Sequence, residues 1–110
     1  MSGIPGLSTS IAPSWNGWGI DLTNARFQNA KAAGLTAADV PKLKLKWAFG
    51  YPSVTTSFGT PTVYGGRIFV GAADGTVFSL DGHSGCIYWM YKATEGVRTG
   101  PVISGDGKTA

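Results

Sequence analysis

The sequence predicts an all-β fold of short buried strands joined by tight turns. Hydrophobic residues make up 43% of the 110-residue chain, charged residues only 14%, and 17 residues are Gly, a mixture that favours strands and turns over helices or disorder. A repeat supplies the architecture. Lys44-Leu45-Lys46-Trp47-Ala48-Phe49 returns as Cys86-Ile87-Tyr88-Trp89-Met90-Tyr91, 42 positions on, and Pro61-Thr62-Val63-Tyr64-Gly65-Gly66-Arg67 returns as Pro101-Val102-Ile103-Ser104-Gly105-Asp106-Gly107-Lys108 after 40. Periods of this length are those of β-propeller blades. A propeller closes several four-stranded blades around a channel. This chain holds about one antiparallel blade plus parts of its two neighbours, so the expectation is a fragment of a larger protein.

Taken in order, residues 1–14 contain Gly3, Pro5, Gly6 and Pro13 with no periodicity, and an irregular arm is expected there. Residues 15–42 read as an opening segment with a short helix. Its first half is aromatic and polar without alternation, which predicts a loop pinned by rings. Thr36-Ala37-Ala38-Asp39 reads as a capping box, the Thr36 hydroxyl accepting the Asp39 amide and the Asp39 carboxylate returning the bond. One or two helical turns should follow, ended by Pro41.

Residues 43–110 read as propeller strands. Leu43, Leu45, Trp47 and Phe49 alternate with Lys44, Lys46 and Ala48, as in a half-buried strand over 43–49. It has no preceding partner, which fits a closing strand whose three companions come from the other end of a propeller. A full blade over 60–91 follows, with strands at 61–64, 67–71, 76–80 and 86–91. Gly65-Gly66, Asp74-Gly75 and the loop 81–85 supply its turns. Ile68-Phe69-Val70 and Val77-Phe78 are apolar on both faces, which suits a blade covered by a neighbour on each side. Residues 97–110 begin the next blade and turn at Asp106-Gly107.

Composition and spacing exclude several function classes. The net charge of +3 is scattered except for Lys42, Lys44 and Lys46, which alternate along one strand and read as a solvated face, with no stacking platform for nucleic acid. No run approaches the ~20 apolar residues of a membrane-spanning helix, and the first residues lack the basic start and apolar core of a secretory signal, so the signal of an exported parent is expected upstream or trimmed away. The single cysteine, Cys86, excludes an internal disulfide, a four-cysteine zinc site and covalent haem attachment, and with no basic partner it reads as a buried strand residue. His83, the only histidine, likewise lacks a partner for general-base chemistry. Gly107-Lys108-Thr109 ends like a phosphate-binding loop, but Val102 stands where that loop needs Gly. Asp74, Asp81 and Asp106 precede or lie in Gly turns without the alternating donors of a calcium loop. No catalytic or metal residue is therefore expected in this chain, and Trp15, Trp18, Trp47 and Trp89 read as packing anchors.

Ser79-Leu80-Asp81-Gly82-His83-Ser84-Gly85-Cys86-Ile87-Tyr88-Trp89 resembles the docking motif of pyrroloquinoline-quinone-type propeller repeats, with Ser79 and Cys86 where Ala and Lys are usual. Asp81 would bond the amides of its own turn, Ser84-Gly85 would reverse the chain, and Trp89 would lie across the neighbouring blade. Trp15-Asn16-Gly17-Trp18-Gly19-Ile20-Asp21-Leu22-Thr23-Asn24-Ala25-Arg26-Phe27, with Leu35, Asp39-Val40-Pro41-Lys42-Leu43 and Trp47-Ala48-Phe49, resembles the N-terminal part of quinoprotein alcohol dehydrogenases. Within that family, residues 43–51 and 85–99 resemble the polyvinyl alcohol dehydrogenase subgroup.

The resemblance implies an exported, periplasmic or secreted oxidoreductase that carries pyrroloquinoline quinone at the centre of an eight-bladed propeller. It also implies a calcium ion, oxidation of polymeric or small alcohols, and electron transfer to a cytochrome. Arg98, before Thr99-Gly100-Pro101, stands where such enzymes have an Arg that pairs with the quinone, and is the one cofactor-binding residue expected here. Phe58, three positions before Pro61, replaces a Glu that contacts the quinone in many relatives. The calcium ligands and catalytic Asp belong to later blades, so the fragment by itself is expected to be inactive and to bind no cofactor. Its partners would be the remaining blades and the cytochrome acceptor. The rival expectation is a non-catalytic propeller of the same repeat family, a scaffold or sensor.

Overall fold

The computed structural model describes residues 14–110, so the arm expected over 1–14 lies outside the described residues except for Ser14. Four strands, β1 (Thr62–Tyr64), β2 (Arg67–Gly71), β3 (Thr76–Asp81) and β4 (Ile87–Lys92), form one antiparallel sheet in the order β1-β2-β3-β4. Each begins and ends within about a residue of its expected position, because the turns are locally encoded. Gly65 and Gly66 take φ of 56° and 77°, the two consecutive positive values that a tight hairpin requires. At the next turn Asp74 accepts from the Thr76 amide and hydroxyl, both at 2.9 Å.

Alternation along the strands sorts side chains onto two faces. One face holds the main core, Val70, Ala72, Phe78 and Leu80, over which Trp47, Phe49, Tyr51, Val54 and Ile68 pack. The rings of Phe49 and Tyr51 meet Phe78 edge-on at 5.1 and 5.9 Å, a favoured aromatic geometry. On the opposite face the register aligns Thr62, Phe69, Ser79 and Trp89. There Thr62 Oγ1 donates to the Pro101 carbonyl, tying residues 101–103 to the sheet, and Ile103 is buried. The chain thus covers both faces of its own sheet, as the doubly apolar strands require.

Two neighbouring residues join these layers. Trp15 exchanges backbone hydrogen bonds with Val63, both at 2.8 Å, on the free edge of β1. The Asn16 amide then acts as one residue of a strand, its Nδ2 donating to the Ile103 carbonyl at 2.7 Å and its Oδ1 accepting the Ile103 amide at 2.8 Å.

Elsewhere the structure departs from expectation. Residues 43–49 form no strand, and Leu43 and Leu45 are exposed, because no neighbouring strand among the described residues supplies a ladder. Residues 97–110 likewise form no strand. Their turn does close, through Ser104 N–H to the Thr109 carbonyl at 2.8 Å. The opening segment contains an unforeseen helix α1 (Ala30–Ala33), which Asn29 caps through the Ala32 amide and which Gly34 ends at φ 66°. In the expected capping box, the Asp39 carboxylate accepts both the Thr36 amide (3.0 Å) and its hydroxyl (2.6 Å), so the hydroxyl donates instead of accepting. Pro41 lies within a 3-10 helix (Val40–Lys42) instead of ending one, since an opening turn does not need its missing N–H. No helix among the described residues is long and apolar enough to cross a membrane.

Candidate functional site

The turn between β3 and β4 is built on one carboxylate. Asp81 Oδ1 accepts the His83 amide at 3.0 Å, the Ser84 amide at 2.7 Å and the Ser84 hydroxyl at 2.8 Å. These bonds, the Ser84 amide first, hold the Asp81 carboxyl below the usual carboxylate range. Gly85 N–H returns to the Asp81 carbonyl and Asp81 N–H to that of Cys86, both at 2.8 Å, which completes the reversal.

Gly85 adopts φ +75°, and a Cβ there would stand 2.6 Å from Trp47 Cδ2. The Trp47 indole is therefore seated on the turn, with Nε1 directed at the Gly82 carbonyl at 3.4 Å. The resemblance to the docking motif implies that Trp89 lies across a neighbouring blade. In the structure Trp47 is the ring on this turn, while Trp89 tilts against Phe69 of its own sheet at 5.9 Å. Lys46 reinforces the junction, its ammonium donating to His83 Nδ1 at 2.9 Å. Cys86, expected to be buried, is exposed, because β4 begins only at Ile87 and nothing covers the residue before it.

The opposite end of the sheet carries Arg98. The stretches before Pro61 and Pro101 flank the end of β2, with Ala73 N–H donating to the Thr56 carbonyl at 3.1 Å and Val97 N–H to the Ala72 carbonyl at 3.2 Å. They also touch each other: a Cβ at Gly59 would lie 2.6 Å from the Thr99 carbonyl oxygen. Phe58 and Arg98, each three positions before its Pro, thus stand on adjoining stretches, and both are exposed. Among the described residues no ion pair or hydrogen bond engages the Arg98 guanidinium. A guanidinium in that state is available to a carboxylate or carbonyl oxygen. No three His, Cys, Asp or Glu side chains gather as around a metal ion among the described residues.

Sequence reasoning missed Arg67. It is 2% exposed, with Nη1 3.5 Å from Ser79 Oγ, and the Tyr88 ring lies 3.7 Å from its Cζ. A β-bulge, at which the register steps from Ser79↔Trp89 to Leu80↔Ile87, leaves Tyr88 as the extra residue over this cation. Nothing local distinguishes Arg67 from any Arg after a Gly-Gly turn.

At the other hairpin Asp74 also binds Lys92, with Oδ2 at 2.7 Å, and this bond with the Thr76 bonds lowers its pKa to about 2. Asp74 and Asp81 bind protons more weakly when folded than when unfolded. Their contribution is complete above the unfolded value of ~3.9 and is lost as pH falls through the folded value. Unfolding midpoints recorded from pH 5 to pH 2 should therefore fall, and Asp74→Asn should flatten that acid limb. An unchanged limb in the variant would contradict the assignment.

No family model matches the chain. Over 96 residues, 87% of its length, it is 48% identical to a polyvinylalcohol dehydrogenase of a Pseudomonas species. Over 98 residues, 89% of its length, it is 46% identical to a polyvinylalcohol dehydrogenase of Sphingopyxis sp. strain 113P3. A quinohemoprotein alcohol dehydrogenase of Comamonas testosteroni is 29% identical over 79 residues, 72% of the chain. The chain spans 14% of the length of each of the first two relatives and 11% of the third.

Proposed function

Because the chain is, over most of its length, a homologue of part of the polyvinylalcohol dehydrogenases, we propose that it forms one blade and its junctions in a quinone-dependent alcohol dehydrogenase. In this reading the blade is the N-terminal part of an exported eight-bladed propeller, inactive by itself, that oxidises polymeric or small alcohols and passes electrons to a cytochrome. The observation that carries the site assignment is Arg98, exposed and unengaged among the described residues, at the end of the sheet where two blade openings meet.

Pyrroloquinoline quinone, when bound, would accept a hydride equivalent, that is two electrons and one proton, from the alcohol carbon, the hydroxyl proton leaving separately. Arg98 fits such a group, since its planar fork can hold a carboxylate or paired carbonyl oxygens in a fixed orientation. Phe58, on the adjoining stretch, offers an apolar ring and no charge. Calcium finds no acidic cluster among the described residues, so its ligands would come from other blades.

The test is made on the native product, recovered from the exported fraction with an antibody against residues 15–103. A mass several times 11.4 kDa is expected. Quinone binding to that product should weaken about 10- to 100-fold in Arg98→Ala, the effect of losing one or two charge-assisted bonds, with Arg98→Lys recovering part of it. Unchanged quinone affinity would remove Arg98 from the site. Phe58 in the Glu position favours the second reading, a non-catalytic scaffold or sensor. That reading gains if the native product binds no quinone and reduces no dye with any alcohol.

A further inference from the structure

The two edges of the sheet differ. On the outer side of β1, Trp15 exchanges both backbone hydrogen bonds with Val63, so that edge is occupied at its centre. β4 is last in the order β1-β2-β3-β4, and no described segment pairs with its far side. Ala93 N–H bonds the Gly75 carbonyl and Tyr91 lies opposite Val77, so Tyr91 and Ala93 turn their backbone groups to β3. Met90 and Lys92 alternate with them and present N–H and C=O outward. Edge strands are commonly protected by an outward charge, Lys above all, or by Pro. β4 has no Pro and one charge, Lys92. That ammonium is turned back onto its own sheet, donating to Asp74 Oδ2 at 2.7 Å and to the Asp74 carbonyl at 2.6 Å. Beside it Met90 and Tyr91 are 59% and 63% exposed.

We propose that the outer edge of β4 is a dimer interface, at which two copies of this chain pair antiparallel about a two-fold axis through Tyr91. Met90 of each copy then faces Lys92 of the other, and each such pair exchanges its outward N–H and C=O groups. Tyr91 meets its own counterpart at the close, non-hydrogen-bonded position, a favoured aromatic cross-strand pair. The neighbouring registers are worse for stated reasons. An axis through Met90 sets Lys92 against the bulge at Tyr88, where alternation of the backbone breaks. An axis through Lys92 opposes like charges. Both copies use the same patch, so the contact is isologous and stops at a dimer, one sheet running through both. The inference does not rest on the dehydrogenase reading.

Sedimentation equilibrium on the full chain, at concentrations up to about 1 mM, tests it, with circular dichroism to verify the sheet. The mass should double from 11.4 kDa and rise no further. Tyr91→Lys sets like charges in direct opposition and should weaken the dimer at least tenfold, with added salt restoring part of it. Leu45→Lys removes an 86% exposed apolar side chain away from the edge and should change nothing. Met90→Pro takes away only an outward N–H, so it should keep the sheet and lose the dimer. In a Cys86→Ser background, Tyr91→Cys should form a disulfide-linked dimer on mild oxidation and Leu45→Cys should not. Only the former residue lies opposite its own copy, at a Cα separation of about 4.5 Å that a disulfide can span. A chain that stays monomeric, or oligomers that grow without limit, would overturn the proposal. So would equal weakening by the two Lys variants, or equal cross-linking of the two Cys variants. Loss of the sheet in Met90→Pro overturns it too, since it would mean that the Met90 N–H serves β3.

Discussion

Phe69→Ala is expected to cost about 3–5 kcal/mol, the range for truncating a fully buried Phe. Phe69 is 0% exposed at the centre of β2, opposite Thr62 on one side and Ser79 on the other, with the Trp89 indole tilted onto it. Small domains are stable by only about 5–15 kcal/mol, and a single sheet with exposed Leu43, Leu45 and Tyr91 belongs at the low end. The variant should therefore lose its near-ultraviolet circular dichroism at room temperature or unfold at much lower urea. Val102→Ala, at a site 58% exposed, should stay within about 0.5 kcal/mol of the unsubstituted chain. Equal urea midpoints for the Phe69 and Val102 variants would mean that this face of the sheet is not a packed core.

The second large effect is expected at Gly85→Ala. The backbone term alone, a side chain forced to φ +75°, costs about 1–2 kcal/mol. The new methyl also meets the Trp47 ring at 2.6 Å, and the ring must leave the turn, giving up roughly 2 kcal/mol of burial for a half-covered indole. The sum is about 3–4 kcal/mol, read as a lower urea midpoint together with a red shift of tryptophan emission. In a Trp47→Ala background the steric part should vanish and only the backbone part remain, a coupling that a double-mutant cycle measures. Gly105→Ala is the control, since nothing lies within 4 Å of its Cβ position and its φ is not positive. If the cycle returns no coupling between Gly85 and Trp47, the ring is not seated on this turn.

Strand positions and the three blade turns were legible in the sequence because their causes lie within a few residues. Period-2 patterning fixes which side chains share a face, and Gly65-Gly66, Asp74-Gly75 and Asp81 with Gly85 provide the backbone freedom and local hydrogen bonds of the turns. The docking motif was readable for the same reason, since the Asp81 bonds reach only two and three residues ahead. The reading of residues 43–49 as a strand met a different limit: a ladder needs a partner, and alternation describes only one side of the pairing.

The contacts that short stretches could not foretell join residues far apart in the chain. Asn16 holds Ile103 across 87 positions, and Trp47 reaches Gly82 across 35, although neither Asn nor Trp carries a local sign of its partner. The bulge that lays Tyr88 over the buried Arg67 depends on the relative register of β3 and β4, which no single strand encodes. Even the approach of the Phe58 and Arg98 stretches follows from where β2 ends and how its flanking loops close upon it. Strands, turns and the repeat could be read from short stretches alone, because these are short-range preferences of the backbone. Which ring fills which turn, and which charge is buried, was settled only when chain closure brought distant surfaces together, because packing energy belongs to pairs of surfaces and not to either segment alone.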